Sequence, residues 1–313
     1  MEPTRSLRVV FLGNDPWSVP CLEALADSSH ELALVVTRVP RPAGRGSKLT
    51  PTAVADAARV MGLPMREVET VKRDPGLRAL AETAPDVLVV VAYGEILPLA
   101  VLRLPRVAPV NLHFSLLPRL RGANPVRAAL LEGSSSTGVT TMVVDEGLDT
   151  GPVLLQATEP ILDDDDAGTL GERLARLGAG LLVRTLDGIA AGWLAPRPQD
   201  DDEASYAPKL VPGDRVLDWS RDAEALVRQV RALAPEPGAS TTFRGSSLKV
   251  FRSQAAPVNG LPGEVLGVDR SGFLVGTGAG SFRPLELAPA GRRRMAADAF
   301  VRGYRPTEGE RFG

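Results

Sequence analysis

The sequence predicts two domains, an N-terminal α/β domain on a doubly wound, mostly parallel sheet and a C-terminal antiparallel β-barrel. The chain has 313 residues, whereas a single core stops growing near about 250 to 300 residues. Short apolar runs alternate with helical patterns in the first part, as in an α/β sheet. Beyond residue 213, short strands separated by glycine turns are typical of a small barrel.

Near-continuous apolar runs predict the strands of the first domain, because strands covered by helices on both sides bury both faces. These strands are 7–12, 32–37, 86–92 and 109–113. Helices are predicted between them at 16–26, 51–61, 75–84 and 124–132, and a longer one at 168–191. Three of the first four open with a proline, whose missing N–H is harmless in a first helical turn.

A change of composition predicts the domain boundary. Residues 193–212 are rich in proline and aspartate, which suits an exposed linker. We therefore expect a first domain over 1–192 and a second over 213–313. The second has one predicted helix, 223–234, followed by strands at 240–243, 247–251, 263–268, 272–277 and 281–287.

Composition excludes several classes of protein. No apolar run approaches the roughly 18 residues needed to cross a bilayer, and the N-terminus lacks the pattern of a secretory signal, so a cytoplasmic protein is expected. The single cysteine, Cys21, cannot form an internal disulfide. One glycine, Gly13, follows the first strand where a dinucleotide-binding loop needs three, which disfavours a nicotinamide cofactor.

The formal charge of −2 is unevenly distributed. Residues 1–204 hold 20 Lys and Arg against 27 Asp and Glu, whereas residues 205–313 hold 16 against 11. The two parts therefore carry −7 and +5. A basic C-terminal part suits a polyanionic partner, although an ordinary solvated surface accounts for the charge equally well.

Three polar residues form the candidate catalytic set. Asn111 and His113 lie two positions apart in a predicted strand and so point to the same side of it. Asp149 lies in the segment Gly-Leu-Asp-Thr-Gly, where an aspartate is either a turn residue or a partner for the histidine. An amide, an imidazole and a carboxylate suit acyl transfer to an amine, since polar donors stabilise a developing oxyanion and a carboxylate tunes the histidine. The other histidine, His30, is interpreted as structural.

Several motifs, in this order, resemble those of the methionyl-tRNA formyltransferase family over the full length of the chain. Other folate-dependent formyltransferases share some of these features, namely Asn111, His113, the Ser-Leu-Leu-Pro run and the Gly-Leu-Asp motif. The remaining motifs restrict the resemblance to the methionyl-tRNA formyltransferase family. The motifs are Arg41-Pro-Ala-Gly-Arg-Gly46, Val91-Ala-Tyr-Gly94, Asn111-Leu-His113, Ser115-Leu-Leu-Pro-Arg-Leu-Arg-Gly122, Gly147-Leu-Asp-Thr-Gly151, Ala207-Pro-Lys209, Leu217-Asp-Trp-Ser220 and Leu287-Ala-Pro-Ala-Gly-Arg292.

The resemblance implies a formyltransferase-like variant of the Rossmann fold with an OB-like barrel behind it. It also implies formyl transfer from 10-formyltetrahydrofolate to the α-amine of initiator methionyl-tRNA, giving the N-formylmethionyl-tRNA of translation initiation. In this reaction Asn111 and His113 would donate hydrogen bonds to the developing oxyanion. Asp149 would orient His113, stabilise its protonated form and help to move a proton from the amine to the leaving folate nitrogen.

The resemblance also implies two binding regions. The folate site would use the apolar walls and backbone groups of two segments, which are Ser115, Leu116, Leu117 and Pro118, and Val91, Ala92, Tyr93, Gly94 and Leu97. The tRNA site would include a basic loop and positions in the C-terminal part, with Arg45 as the leading candidate. The implied tRNA-binding residues are Arg45, Arg41, Lys48, Lys209 and Lys249.

The basic loop departs from the family pattern, since Val39-Pro40 stands where many members have Pro-Asp. No metal is expected, because the acidic runs 163–166 and 200–203 contain no histidine and lack calcium-loop spacing. Nothing in the sequence indicates a membrane or an obligate protein partner.

Alternative functions remain open from the sequence alone. A relative that formylates a nucleotide-linked amino sugar would need the same catalytic set. A hydrolase of 10-formyltetrahydrofolate would use water in place of the amine, and a non-catalytic RNA-binding relative would need none of the three side chains.

Overall fold

The structure, a computed structural model, describes residues 5–43 and 48–313. They form two compact units. The first contains the chain up to Pro125, Ser136–Pro160 and Gly171–Ala207, and the second contains Val126–Ser135, Ile161–Leu170 and Pro208–Gly313. The linker predicted over 193–212 stays a prediction.

The strands of the first unit are β1 (Arg8–Gly13), β2 (Glu31–Arg38), β3 (Arg41–Ala43), β4 (Lys48–Thr50), β5 (Met65–Val68), β6 (Val87–Val91), β7 (Ala108–His113), β8 (Arg121–Gly122), β9 (Ser136–Val143), β10 (Val153–Pro160) and β11 (Tyr206–Ala207). The helices up to residue 190 are α1 (Val19–Ala26), α2 (Ala53–Val60), α3 (Gly76–Thr83), α4 (Leu99–Leu102), α5 (Pro125–Glu132) and α6 (Ala167–Ala190), and short 3-10 turns cover Pro16–Ser18, Asp201–Glu203 and Pro212–Arg215.

Seven strands form the main sheet of the first unit, in the order β10-β9-β7-β6-β1-β2-β5. The strands from β7 to β5 are parallel, and β9 and β10 run antiparallel to their neighbours. The predicted doubly wound, mostly parallel sheet is confirmed. The chain first moves from β1 to β2 and β5, and then returns to the other side of β1 at β6. Such a reversal opens a crevice at the carboxyl ends of the two strands, where ligands bind in α/β sheets.

Burial explains which strands the sequence revealed. Every residue of β6 is buried, as are the last five of β1, so both strands appear as apolar runs. Strands β5 and β10 alternate between buried and exposed positions, and β5 has four residues. Neither they nor β9 was among the predicted strands. Strands β5 and β10 lie at the edges of the sheet and mix polar and apolar residues, whereas β9 is largely buried but half of its residues are Ser or Thr.

The second unit is an antiparallel sheet with two helices. Its elements are α7 (Ala223–Leu233), β12 (Ala239–Phe243), β13 (Ser246–Ala256), β14 (Val265–Asp269), β15 (Gly272–Gly276), β16 (Ser281–Pro289), β17 (Met295–Ala296) and α8 (Ala297–Tyr304). The strand order is β12-β13-β16-β15-β14, and β17 pairs with β16. Five of these strands were predicted, whereas β17 and α8 were not.

The C-terminal segment joins the two edges of this sheet and closes it into a barrel. On the β12 side, Gly313 N–H donates to the carbonyl of Thr242 over 3.2 Å. On the β14 side, Phe312 N–H donates to the carbonyl of Gly263 over 2.8 Å. The Phe312 ring stacks on Phe273, with 5.4 Å between ring centroids. The chain terminus therefore covers both edges and contributes to the core.

The buried His30, which is paired with Asp187 in the first unit, makes the stability of the protein depend on pH. His30 Nδ1 accepts the N–H of Leu7 over 3.3 Å, and its Nε2 lies 3.3 Å from Asp187 Oδ1 at an ion-pair distance. The imidazole is 1% exposed. Burial lowers the pKa of His30 below its ordinary 6.5, although Asp187 acts in the opposite direction.

We expect the free energy of unfolding to fall as the pH drops below 6.5, because the unfolded chain takes up the His30 proton first. The slope from this group is at most about 1.4 kcal/mol per pH unit. Urea unfolding between pH 7.5 and 5.5 measures this slope, and His30→Gln is the comparison because it removes the imidazole and keeps a polar side chain. If the free energy of unfolding changes equally with pH in the wild type and in His30→Gln, His30 does not contribute to the pH dependence of stability.

Candidate active site

The carboxyl ends of β1, β6 and β7 lie at one edge of the main sheet. Gly13 pairs in register with Val91, and Val91 pairs with Leu112. His113 is therefore one residue beyond the last pair, at the end of β7. The polar residues that the sequence placed at strand ends meet at the topological switch point, where a ligand site is expected.

Asn111 and His113 share a face of β7. Asn111 is partly buried, and within residues 5–43 and 48–313 no hydrogen bond to its side-chain amide is found. His113 is buried, and its Nε2 lies 2.9 Å from the carbonyl of Leu120. A carbonyl only accepts, so Nε2 carries a proton and Nδ1 is the nitrogen that gains or loses one.

Asp149 faces the histidine from the loop between β9 and β10. Its Oδ2 lies 3.6 Å from His113 Nδ1 and accepts the N–H of Gly122 over 2.8 Å. The distance of 3.6 Å is too long for a hydrogen bond. At this separation, one substrate atom can lie within hydrogen-bonding distance of both Asp149 Oδ2 and His113 Nδ1. The pair can thus pass a proton to and from a single reacting nitrogen.

The loop that carries Asp149 is held in an unusual conformation. Asp149 has φ 55°, in the left-handed region that few residues other than glycine and asparagine adopt easily. Asp145 accepts the Gly147 N–H over 3.0 Å and the Thr150 hydroxyl over 2.8 Å. A Cβ at Gly151 would lie 1.8 Å from the Val143 carbonyl oxygen, so only glycine fits there. The Gly-Leu-Asp-Thr-Gly motif is therefore the sequence that this turn requires.

The Ser115–Pro118 segment follows β7 and is tied to β9 and β10. Thr140 Oγ1 donates to the Ser115 carbonyl over 2.7 Å and accepts the Leu117 N–H over 3.1 Å. Gln156 Nε2 donates to the Leu117 carbonyl over 2.8 Å. Ser115 and Leu117 are buried, whereas Leu116 and Pro118 are partly exposed. This segment therefore presents a rigid, largely apolar wall beside His113.

The second predicted folate segment follows β6 and alternates between core and surface. Val91, Tyr93 and Leu97 are buried, whereas Ala92 and Gly94 are exposed. Ala92 and Gly94 both have positive φ, at 43° and 74°. The Tyr93 ring packs in the apolar core, and burial raises the pKa of its phenol to about 12. The exposed surface here consists mainly of backbone and small side chains.

Asn14, at the end of β1, fixes this segment. Its Nδ2 donates to the Tyr93 carbonyl. Its Oδ1 accepts the Thr37 hydroxyl over 2.9 Å and the Arg38 N–H over 2.8 Å. Arg38 also donates to the Gly94 carbonyl over 2.9 Å. One side-chain amide thus connects the ends of three strands.

The residues proposed for tRNA lie in both units. Arg41 and Lys48 are exposed on the β3–β4 hairpin of the first unit. Lys209 and Lys249 are exposed in the second unit, and Lys249 Nζ donates to the Pro237 carbonyl over 2.8 Å. Arg45 lies outside the described residues, so the structure adds nothing to its assignment.

Sequence reasoning missed four residues that shape the site. Asn14, Thr140, Gln156 and Gln199 each hold backbone groups of a site loop through a side-chain amide or hydroxyl. Their partners are between 16 and 79 positions away along the chain. The sequence carries no local signal for such bonds.

Two features of the described residues concern metal binding and membrane spanning. Among residues 5–43 and 48–313, no group of three or more His, Cys, Asp or Glu is arranged to hold a metal ion. None of the helices described combines the length and apolar character needed to span a bilayer.

Known proteins resemble this chain over nearly its full length. A family model described as formyl transferase matches residues 7–186, and one described as formyl transferase, C-terminal domain, matches residues 209–305. A protein of Thiobacillus denitrificans named methionyl-tRNA formyltransferase is 46% identical over 310 residues, covering 98% of this chain and 100% of the relative. A protein of the same name from Citrifermentans bemidjiense is 41% identical over 307 residues, covering 98% and 96%.

A solved structure also shares the fold. HypX from Aquifex aeolicus, in complex with tetrahydrofolic acid, superposes with a TM-score of 0.67 at 19% identity. The match covers 95% of this chain and 47% of HypX, so this chain spans about half of that protein. At this identity the likeness concerns the fold alone.

Proposed function

The chain belongs to the methionyl-tRNA formyltransferase family, and from that premise we propose that Asn111, His113 and Asp149 catalyse its formyl transfer. The enzyme formylates the α-amine of methionyl-tRNA, which supplies N-formylmethionyl-tRNA for translation initiation. The observation that carries the catalytic assignment is the distance of 3.6 Å between Asp149 Oδ2 and His113 Nδ1, with Asn111 two residues before His113 on the same face of β7.

The proposed formyl donor is 10-formyltetrahydrofolate, which supplies an activated formyl group on a nitrogen that can leave. The partly buried Asn111 amide fits this donor, because its N–H groups are available for a carbonyl oxygen. The site would hold the donor between the Ser115–Pro118 wall and the backbone of Val91–Gly94, with Leu97 beneath. Binding a flat heterocycle through apolar contacts and a few backbone hydrogen bonds is typical of small-molecule sites.

The roles of the three side chains follow from their chemistry. As the methionyl amine attacks the formyl carbon, Asn111 Nδ2 donates to the oxygen that gains negative charge. His113 Nδ1 and Asp149 Oδ2 lie near the same point, so they take the proton that the amine loses and return it to the departing nitrogen. Asp149 also stabilises the positive charge on His113 after the ring accepts that proton. No covalent intermediate with the enzyme is needed.

Two groups of basic residues are proposed to contact tRNA phosphates. Arg41 and Lys48 lie on the hairpin of the first unit, Lys209 and Lys249 lie in the second unit, and Arg45 is assigned from the sequence. Such contacts are electrostatic and weaken as salt rises. We place the enzyme in the cytoplasm, because charged initiator tRNA is made and used there. No protein partner and no metal enter the proposal.

We expect Arg45→Ala to raise the KM for methionyl-tRNA roughly tenfold, the effect of losing one charged hydrogen bond. The KM for the folate donor stays within about twofold, because that contact is to phosphate. Steady-state rates over a range of tRNA concentrations measure both constants. The matched control is Arg66→Ala, an exposed arginine on β5. Identical rates for Arg45→Ala and the wild type at every tRNA concentration would remove Arg45 from the tRNA site.

The reaction is tested by following labelled formyl from 10-formyltetrahydrofolate. Parallel reactions contain charged initiator methionyl-tRNA, charged elongator methionyl-tRNA, free methionine, a nucleotide-linked amino sugar or no acceptor. Transfer confined to the initiator is the expected result. Release of labelled formate without an acceptor would indicate a hydrolase, and transfer only to a nucleotide-linked amino sugar would indicate the related sugar enzyme. Binding of tRNA without turnover in any reaction would indicate a non-catalytic RNA-binding protein.

A further inference from the structure

Asp149 is connected to a buried arginine through one glutamine side chain. Gln199 Nε2 donates to the Asp149 carbonyl over 2.8 Å and to the Gly151 carbonyl over 2.7 Å. Gln199 Oε1 accepts Arg121 Nε over 3.0 Å and Arg121 Nη2 over 2.9 Å. Both N–H groups of the amide and its oxygen are therefore used, which fixes the orientation of the amide.

Arg121 is buried, and its guanidinium holds the Gln199 side chain in place. Its side chain is 2% exposed, and Nη2 also donates to Asp201 Oδ1 over 2.7 Å. A buried guanidinium is strongly destabilising unless its N–H groups have acceptors, so the fold holds Gln199 and Asp201 in place around it. Strand β8, which contains Arg121, pairs with β11, and this pairing keeps the two chain segments together.

The same short segment holds both catalytic partners. The Leu120 carbonyl orients His113, and the Gly122 N–H binds the Asp149 carboxylate. Arg121, between them, holds the Asp149 backbone through Gln199. Asp149 has a positive φ, and such a conformation persists only where surrounding contacts determine it.

We infer that Gln199, oriented by the buried Arg121, is a positioning residue for Asp149 in formyl transfer. The inference rests on the proposed catalytic role of Asp149. Gln199 touches no reacting atom. It fixes the backbone at Asp149 and two residues beyond it, and with it the position of Oδ2 relative to His113 Nδ1. Catalytic groups tolerate displacements of only about 0.5 Å before the rate falls.

Gln199→Glu separates positioning from folding. The carboxylate keeps an acceptor for Arg121, so the buried guanidinium stays paired. It places an acceptor oxygen against the carbonyls of Asp149 and Gly151, and both loop hydrogen bonds become repulsive contacts. Gln254→Glu, at an exposed position of β13 in the second unit, is the matched control.

The expected result is a fall in kcat of roughly thirtyfold to a hundredfold for Gln199→Glu, as for a displacement of about 1 Å. The KM values for methionyl-tRNA and folate stay within about threefold, and Gln254→Glu has wild-type kinetics. Single-turnover formylation measures the chemical step, and thermal unfolding verifies the fold. In Gln199→Glu the amide of Gly122 exchanges faster with deuterium, because its acceptor on Asp149 has moved.

A double-mutant cycle distinguishes positioning from a general structural effect. If Gln199 acts through Asp149, then Gln199→Glu costs less than about threefold when Asp149 is already Asn. An unchanged kcat, an equal loss in the Asp149→Asn background, or unchanged exchange at Gly122 would overturn the inference. Wild-type protein that fails to formylate methionyl-tRNA would instead refute the proposed function. Gln199→Asn, which keeps an amide oxygen as an acceptor for Arg121 but is one methylene shorter and so retracts its N–H groups from the two carbonyls, replaces Gln199→Glu if the latter does not fold.

Discussion

Replacing His113 with alanine is expected to lower kcat for formyl transfer by about a thousandfold, since Nδ1 of the ring takes the proton from the attacking amine and returns it to the leaving nitrogen. Binding of tRNA is expected to stay within about twofold, because no phosphate contact is lost. The imidazole is held by the Leu120 carbonyl, so its loss leaves a small cavity and an unpaired carbonyl without disturbing β7. Single-turnover formylation and filter binding of charged tRNA measure the two quantities separately.

His113→Asn serves as the companion variant. Its amide keeps a hydrogen-bond donor but cannot take up a proton near neutral pH. We expect it to recover a small part of the lost rate and to abolish the dependence of kcat on His113 ionisation. A kcat for His113→Ala within about threefold of wild type would exclude this histidine from the mechanism.

Replacing Asp149 with asparagine is expected to lower kcat by roughly a hundredfold to a thousandfold with little change in either KM, because loss of a charge that orients and balances a catalytic histidine has effects of this order. Asparagine tolerates the positive φ of this position better than other residues with side chains. Its amide oxygen can accept the Gly122 N–H as the carboxylate does. The loop therefore keeps its shape, and the lost rate reports the missing negative charge beside His113 Nδ1.

Asp145→Asn is the matched control, since Asp145 is another carboxylate of the same loop. It accepts hydrogen bonds from Gly147 and Thr150 within the turn, and an amide oxygen preserves that role. We expect its kcat to remain within about threefold of wild type. Steady-state kinetics on both variants, with thermal unfolding to compare their stabilities, test the difference. Equal losses in the two variants would show that the loop needs carboxylates for its shape alone.

Strands made of buried aliphatic residues were predictable from the sequence. The runs that became β1 and β6 are apolar because they lie inside the sheet and bury both of their faces, and this leaves a pattern in the sequence. Strands β5 and β10 left none, because their exposed positions carry polar residues. Strand β17 has two residues, too few for any periodicity.

The catalytic set was also visible in the sequence. Asn111 and His113 are separated by two positions, and the alternation of a strand puts both on one side. The Gly-Leu-Asp-Thr-Gly motif marks Asp149 because the turn excludes larger residues at Gly151. The resemblance implied that Asp149 faces His113. The strand and turn patterns alone could not indicate this, because the two residues are 36 positions apart in the chain.

Local chemistry and periodicity therefore predicted, from the sequence alone, the α/β sheet, the C-terminal barrel and the three proposed catalytic residues, and the resemblance of its motifs indicated the family. Tertiary structure decided what holds those residues in place. Gln199 lies in a stretch that composition marked as a linker, yet its amide bonds Asp149 and Arg121, 50 and 78 positions away. Asn14 joins three strand ends in the same manner. A hydrogen bond between distant side chains and backbone groups depends on the register of the whole sheet, and no short sequence pattern encodes that register.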